Sequence, residues 1–97
     1  MTITLCVLLW ARPGAEDLLT EYESHVLALV PRHGGRVVSR VRADSPAGDL
    51  PTEVQVIQMP GEDALAAYMA DPERAARLDV RDRAIARTEI VRGTPVA

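Results

Sequence analysis

The sequence predicts an α+β fold whose strands and helices run in the order β-α-β-β-α-β. Three observations carry this reading. Residues 2–11 are apolar at both odd and even positions, the pattern of a strand covered on two faces. Residues 15–33 hold the clearest 3.6-residue period in the chain. Residues 52–72, TEVQVIQMPGEDALAAYMADP, read as a strand, a Pro-Gly stop, a short helix and an Asp-Pro restart. The segments before and after this last stretch can be placed as its partners.

The elements follow in order. In the first strand, Ile3, Leu5, Val7 and Leu9 share one face, and Cys6, Leu8 and Trp10 the other, with Pro13 and Gly14 as the stop. The first helix carries Ala15, Leu18, Leu19, Tyr22, Val26, Leu29 and Val30 as its apolar stripe. Glu16, Asp17, Glu21 and Glu23 are read as carboxylates placed early for the helix dipole, and Gly34 and Gly35 as a left-handed stop. Pro31 fits a helix interior poorly, so the helix is expected to distort or end near Val30. Residues 36–44 alternate, with Val37, Val41 and Ala43 on one side and Arg36, Arg40 and Arg42 on the other, as on an edge strand. Residues 45–51 form a loop.

The third strand, 52–59, sets Val54 and Val56 on one face and Glu53, Gln55, Ile57 and Met59 on the other. A helix over 61–70 turns Leu65, Tyr68 and Met69 inward. Asp71 is a natural N-cap, with Pro72 at the first position of a charged helix over 72–86 whose apolar strip is Ala75, Leu78 and Ile85. Residues 87–92 close the chain as a strand, ended by Gly93 and Pro95.

This order gives a ferredoxin-like plait as a single domain over 1–97: a four-stranded, antiparallel-type sheet with helices on one face. The crossover rule is taken to set strands 1 and 3 as a parallel central pair. Because strands 1 and 3 are apolar on both faces, the face without helices needs a cover. A second copy of the chain is the simplest one, making a dimeric α+β barrel. Association with a different protein through that face is the alternative.

Composition narrows the function classes. The net charge of −3 argues against nucleic acid, whose phosphates need a basic face. All 11 cations are Arg, which points to coding bias. Cys6 is the single cysteine, so an intramolecular disulfide and a cysteine-based metal site are both excluded. Residues 1–14 lack the cationic start of a signal peptide and run into a patterned helix. No apolar run approaches the roughly 20 residues that span a bilayer. A cytoplasmic protein with no membrane partner is expected.

Three segments, PRHGGR, VQVIQMPGEDALAAYMADPE and RDRAIARTEIVRG, resemble those of small dimeric α+β-barrel proteins of an uncharacterised bacterial family. Its superfamily includes antibiotic-biosynthesis-type monooxygenases, muconolactone-isomerase-like proteins and ethyl-tert-butyl-ether-degradation-type proteins. The resemblance covers nearly the whole chain, and its motifs are structural: a helix stop, a strand end and a helix cap. It implies the barrel fold. By analogy it implies cofactor-free oxygenation or isomerisation of a phenolic or lactone substrate, and it transfers no catalytic residue.

The residues themselves offer a few candidates. His25 and Tyr22, three positions apart, can line a pocket between helix and sheet, with His25 as a proton-transfer group; a half-exposed helix histidine beside a packed tyrosine is the plainer reading of the pair. Trp10 and Tyr68 are candidate ligand contacts, or else an interface anchor and a core residue. Arg40, with Arg36 and Arg42 and with Glu53 and Gln55 of the neighbouring strand, can line the barrel interior and position a carboxylate or phenolate ligand, or can pair with Glu53 across a solvated edge. His33 is accounted for by the helix dipole, and Cys6 reads as a small buried apolar residue. The two histidines lack metal-ligand spacing, so neither a metal nor a cofactor is expected. The readings are a homodimeric enzyme or binder of an apolar or aromatic metabolite, and a non-catalytic homodimeric module.

Overall fold

The computed structural model describes residues 1–45 and 48–96; residues 46 and 47 of the expected loop lie outside the described residues. The elements are β1 (Ile3–Ala11), α1 (Glu16–Leu27), a 3-10 turn (Val30–His33), β2 (Arg36–Arg42), β3 (Glu53–Met59), α2 (Glu62–Met69), α3 (Pro72–Ala75), α4 (Leu78–Ala84) and β4 (Ile85–Gly93). One sheet holds all four strands in the order β2-β3-β1-β4.

Every neighbouring pair is antiparallel. Strands β1 and β3 are central, as expected, but they are not parallel: Leu5 faces Ile57 and Cys6 faces Val56 in an antiparallel register. The parallel pairs are β1 with β2 and β3 with β4, and each is split by a strand inserted between its members. The crossover from β1 through α1 therefore lands one strand away and leaves the slot that β3 fills.

A second difference lies in β2. The register slips between Val37 and Ser39, so Val38 is an extra residue with no partner on β3. Such a bulge reverses the alternation of side chains beyond it. Arg40 and Arg42 lie opposite Gln55 and Glu53 on the helix side of the sheet, whereas Arg36 and Val41 lie on the far side opposite Gln58 and Val54. The expected single row of three arginines is thus divided.

The core forms between the helices and one sheet face, where Ile3, Leu5, Val7, Leu9, Ile57 and Met59 meet Leu19, Tyr22, Val26 and Tyr68. The far face carries Cys6, Leu8, Trp10, Val54 and Val56, all half-buried, flanked by Val41 and Val91, each 60% exposed. Helix α1 stops at Leu27, and the 3-10 turn that follows accommodates Pro31 near its start. Gly34 then takes the left-handed conformation at φ 79° and donates its N–H to the Pro31 carbonyl.

The charged segment after Asp71 makes two short helices rather than one. The break turns Val80 and Ala84 toward the core and leaves Ala75 and Leu78 exposed, while Ile85 already belongs to β4. Likewise Met69 is 55% exposed, and Tyr68 is the fully buried residue of α2. Asp71 caps α3 as expected, accepting from Glu73 N–H at 2.9 Å. It also accepts from His33 Nε2 at 2.7 Å, so His33 clasps the 3-10 turn to α3 instead of merely answering a helix dipole. Among the described residues no helix is long and apolar enough to cross a membrane.

Gly35 marks the tightest approach of turn to sheet. A Cβ there would meet the Met59 sulfur, the Gln58 carbonyl oxygen at 2.7 Å and Val30 Cγ1 at 2.9 Å. The carbonyl belongs to a paired strand and cannot swing away. Gly35→Ala is expected to lower the unfolding free energy by about 1–3 kcal/mol, measured by urea denaturation. A variant as stable as the parent would show that the turn can lift off β3 at no cost.

Candidate functional site

Between the sheet and the helices lies a cavity of about 110 Å³. Its walls are mostly apolar, with Leu5, Val7, Val26, Ile57, Met59 and Leu65 among them. Seven polar side chains open on it: Tyr22 and Glu23 from α1, Gln55 from β3, Tyr68 from α2, Arg74 from α3, Arg81 from α4 and Thr88 from β4. A pocket of apolar walls and a few convergent polar groups is the usual form of a small-molecule site.

Glu23 reaches the cavity because it follows Leu19 by four residues and precedes Val26 by three, which sets it on the buried stripe of α1. It is 6% exposed. Gln55 Nε2 donates to Glu23 Oε1 at 2.7 Å and to Glu53 Oε2 at 2.7 Å, so one carboxamide holds two buried carboxylates. Arg40 completes the chain of contacts. Its Nε donates to Glu53 Oε2 at 2.7 Å, and its Nη2 to Glu53 Oε1 at 3.2 Å and to the Thr20 carbonyl at 2.7 Å. Glu53 therefore has a cation in direct contact, and Glu23 does not.

The proton affinities follow from this arrangement. Burial pushes the Glu23 carboxyl above the usual range; the Gln55 hydrogen bond opposes the shift and the neighbouring Glu53 charge adds to it. Burial likewise raises the Tyr22 phenol, against the pull of Arg74. The Tyr68 phenol is pushed up to about 12, chiefly by burial, and donates to the Val26 carbonyl at 3.1 Å. Both phenols stay protonated at neutral pH.

Three buried polar atoms have no hydrogen-bond partner among the described residues: the Tyr22 hydroxyl, Arg74 Nε and the Thr88 hydroxyl. All three belong to residues that line the one cavity. Each such atom costs roughly 1–3 kcal/mol if nothing answers it. Arg74 also makes no ion pair among the described residues, and its guanidinium lies 4.7 Å from the centre of the Tyr68 ring. The Asp71–His33 clasp fixes the helix that carries it.

Of the residues expected to form a site, Tyr22 and Tyr68 line the cavity. Arg40 does not, but it reaches Glu23 through Glu53 and Gln55. His25 is half-buried on α1, away from the cavity lining. Trp10 lies on the far face of the sheet, where its indole N–H donates to the Asp49 carbonyl at 2.9 Å and Arg87 stacks 4.2 Å from the ring centre. Glu23, Arg74 and Thr88 went unnoticed as site residues, and Gln55, expected with Glu53 in a barrel interior, lines the helix-side cavity instead. For Glu23 the signal was present: it sits past the first turn of its helix, where the dipole no longer explains a carboxylate, and within the apolar stripe. Among the described residues no group of three or more His, Cys, Asp or Glu side chains is gathered to hold a metal ion.

No protein-family model matches the chain, and no curated protein matches it in sequence. Its fold is similar to that of a protein of unknown function from Rhodopseudomonas palustris, with a TM-score of 0.79 at 19% identity over 99% of this chain and 83% of that one. A dimeric protein of unknown function and ferredoxin-like fold from Bacteroides fragilis gives 0.70 at 15% identity over 95% and 94%. A candidate antibiotic biosynthesis monooxygenase from Chloroflexus aurantiacus gives 0.70 at 19% identity over 100% and 95%. At identities this low the likeness is one of fold, and the fold is ferredoxin-like.

Two outcomes are expected from this geometry. Tyr22→Phe removes an unanswered buried hydroxyl, so it should raise the unfolding free energy by about 1 kcal/mol in urea titrations; a loss of that size would show that the hydroxyl has a partner after all. Glu23→Gln tests the raised carboxyl. A carboxyl more basic in the folded chain contributes stability below the ordinary glutamate value of about 4.3 and loses it as pH rises through its folded value. The glutamine keeps the acceptor for Gln55 and cannot titrate. Its stability relative to the parent should therefore grow with pH across that window. A difference that stays flat with pH would mean that Glu23 ionises normally.

Proposed function

We propose that the chain is a homodimeric protein that binds a small apolar or aromatic metabolite in the helix-side cavity and acts on it without a cofactor. The observation that carries this reading is the convergence of the unanswered Tyr22, Arg74 and Thr88 atoms and the basic Glu23 carboxylate on one apolar space. Of the oxygenase and isomerase chemistries suggested by resemblance, the residues suit the second. Glu23 is placed to take a proton from a carbon next to a carbonyl and return it elsewhere. The electron pair passes to the carbonyl oxygen, which the Tyr22 hydroxyl and Arg74 Nε–H would face.

The dimer is supported by the far sheet face. Cys6, Leu8, Val54 and Val56 form an apolar strip across the central strands, with Val41 and Val91 open at its flanks. Two copies meeting face to face across a two-fold axis would cover it. The Bacteroides fragilis neighbour is described as dimeric, which favours the same arrangement here.

Native mass spectrometry of freshly purified protein tests both halves. The expected spectrum shows a dimer carrying a small co-purified mass. Leu8→Asp should convert it to a monomer while leaving the helix-side cavity intact. A parent chain that is monomeric would remove the barrel, and a clean dimer that takes up no small molecule from a panel of lactones, aromatics and their carboxylates would remove the ligand site.

A further inference from the structure

We infer that the cavity is built for a single oxyanion on a small apolar body, a carboxylate or an enolate, and that Glu23 holds a proton while the anion is bound. This rests on the cavity being the ligand site proposed above and names what fills it.

The charges lining the cavity come first. Arg74 and Arg81 are its cations, and Glu23 is its single carboxylate. Arg74 has no ion pair among the described residues, and Arg81 has only an exposed Asp82 at 4.0 Å. Glu53 lies behind Gln55, outside the lining, and is matched by Arg40. The space between helices and sheet is thus left with more positive charge than negative, which a neutral ligand would not use.

Donor chemistry agrees. Arg74 Nε can only donate, and the Tyr22 and Thr88 hydroxyls can both donate. A carboxylate or enolate oxygen only accepts, so it can answer these atoms without introducing a donor that would compete. Volume limits the rest of the molecule. A cavity of about 150 Å³ holds a benzene ring, so one of about 110 Å³ takes a body of about four or five carbons.

The proton follows from the neighbours of Glu23. Tyr22 stands beside it on α1, Glu53 and Gln55 face it from β3, and Arg40 approaches from β2 already committed to Glu53. Tyr68, Arg74 and Arg81 come from α2, α3 and α4. Glu23 Oε1 accepts from Gln55, and Oε2 has no partner among the described residues. A second carboxylate brought into this apolar space would repel the first, and protonation at Oε2 relieves the repulsion. Binding should therefore take up a proton.

Titration calorimetry with isovalerate and its neutral isostere isovaleramide tests this, with benzoate and benzamide as a larger pair. The carboxylates are expected to bind about tenfold or more tightly than the amides. Their affinity should fall as pH rises through the raised Glu23 value, while that of the amides stays level. Glu23→Gln should flatten the pH dependence, and Arg74→Gln should erase the preference for the acid. If Arg74→Gln does not fold, the pH comparison on the parent chain still decides. Equal affinities for acid and amide, or acid affinity that ignores pH, would overturn the inference and leave the ligand site standing. Failure of all four probes to bind would overturn the inference together with the site.

Discussion

Two carboxylates from different elements, Glu23 of α1 and Glu53 of β3, are buried on the helix face of one sheet, and the Gln55 carboxamide holds both. Burying an ionised carboxylate without compensation costs several kcal/mol, on the order that decides whether a domain folds. The compensation is unequal. Arg40 grips Glu53 with two donors and fastens itself to the Thr20 carbonyl and the Ser24 hydroxyl at 2.8 Å, so it also ties β2 to α1. Glu23 gets a neutral donor and a cavity. That asymmetry separates a structural carboxylate from one able to exchange a proton. It also requires the Val38 bulge, without which Arg40 would point to the other side of the sheet.

A second arrangement supports the helices that line the same cavity. The Asp71 carboxylate accepts from the Glu73 N–H, His33 Nε2 and Arg32 Nη1, the last at 3.4 Å, and its pKa is lowered, chiefly by the His33 hydrogen bond. His33 in turn meets the Tyr68 ring edge-on, with centroids 6.0 Å apart. A helix of one turn has little stability of its own. Here a cap and a clasp hold it, and Arg74 is thereby kept over Tyr68 in the cavity lining.

Much of this was legible before any coordinates. The strand faces of 3–11 and 53–59, the stop at Gly34 and the cap at Asp71 all follow from local chemistry, because alternation, left-handed glycine and side-chain capping act over a few residues. Strand orientation and the bulge did not follow. Val38 sits among valines and arginines that alternate equally well in either register, so only pairing with β3 reveals the extra residue. The site was half legible. Tyr22 and Tyr68 declare themselves as aromatics on apolar stripes. Gln55 stands out beside Glu53 on an otherwise apolar strand, but Thr88 looks like an ordinary strand residue until the fold sets it beside the same space. Arg74 lies in a segment so rich in charge that a half-buried arginine is hidden by its exposed neighbours.

The central place of β1 bears on how the chain is made. Its two sheet partners, β3 and β4, arrive late: Leu9 pairs with Glu53, and Thr4 with Gly93 near the opposite end of the chain. During synthesis at roughly 5–20 residues per second, β1 waits for seconds before its first partner leaves the ribosome and for longer before its second. Throughout that interval a nine-residue strand, apolar on both faces, has unsatisfied backbone on both edges. Folding is therefore dominated by long-range closure and must proceed slowly for a chain of this size. The nascent protein depends on α1, which emerges directly behind β1, to cover one of its faces in the meantime.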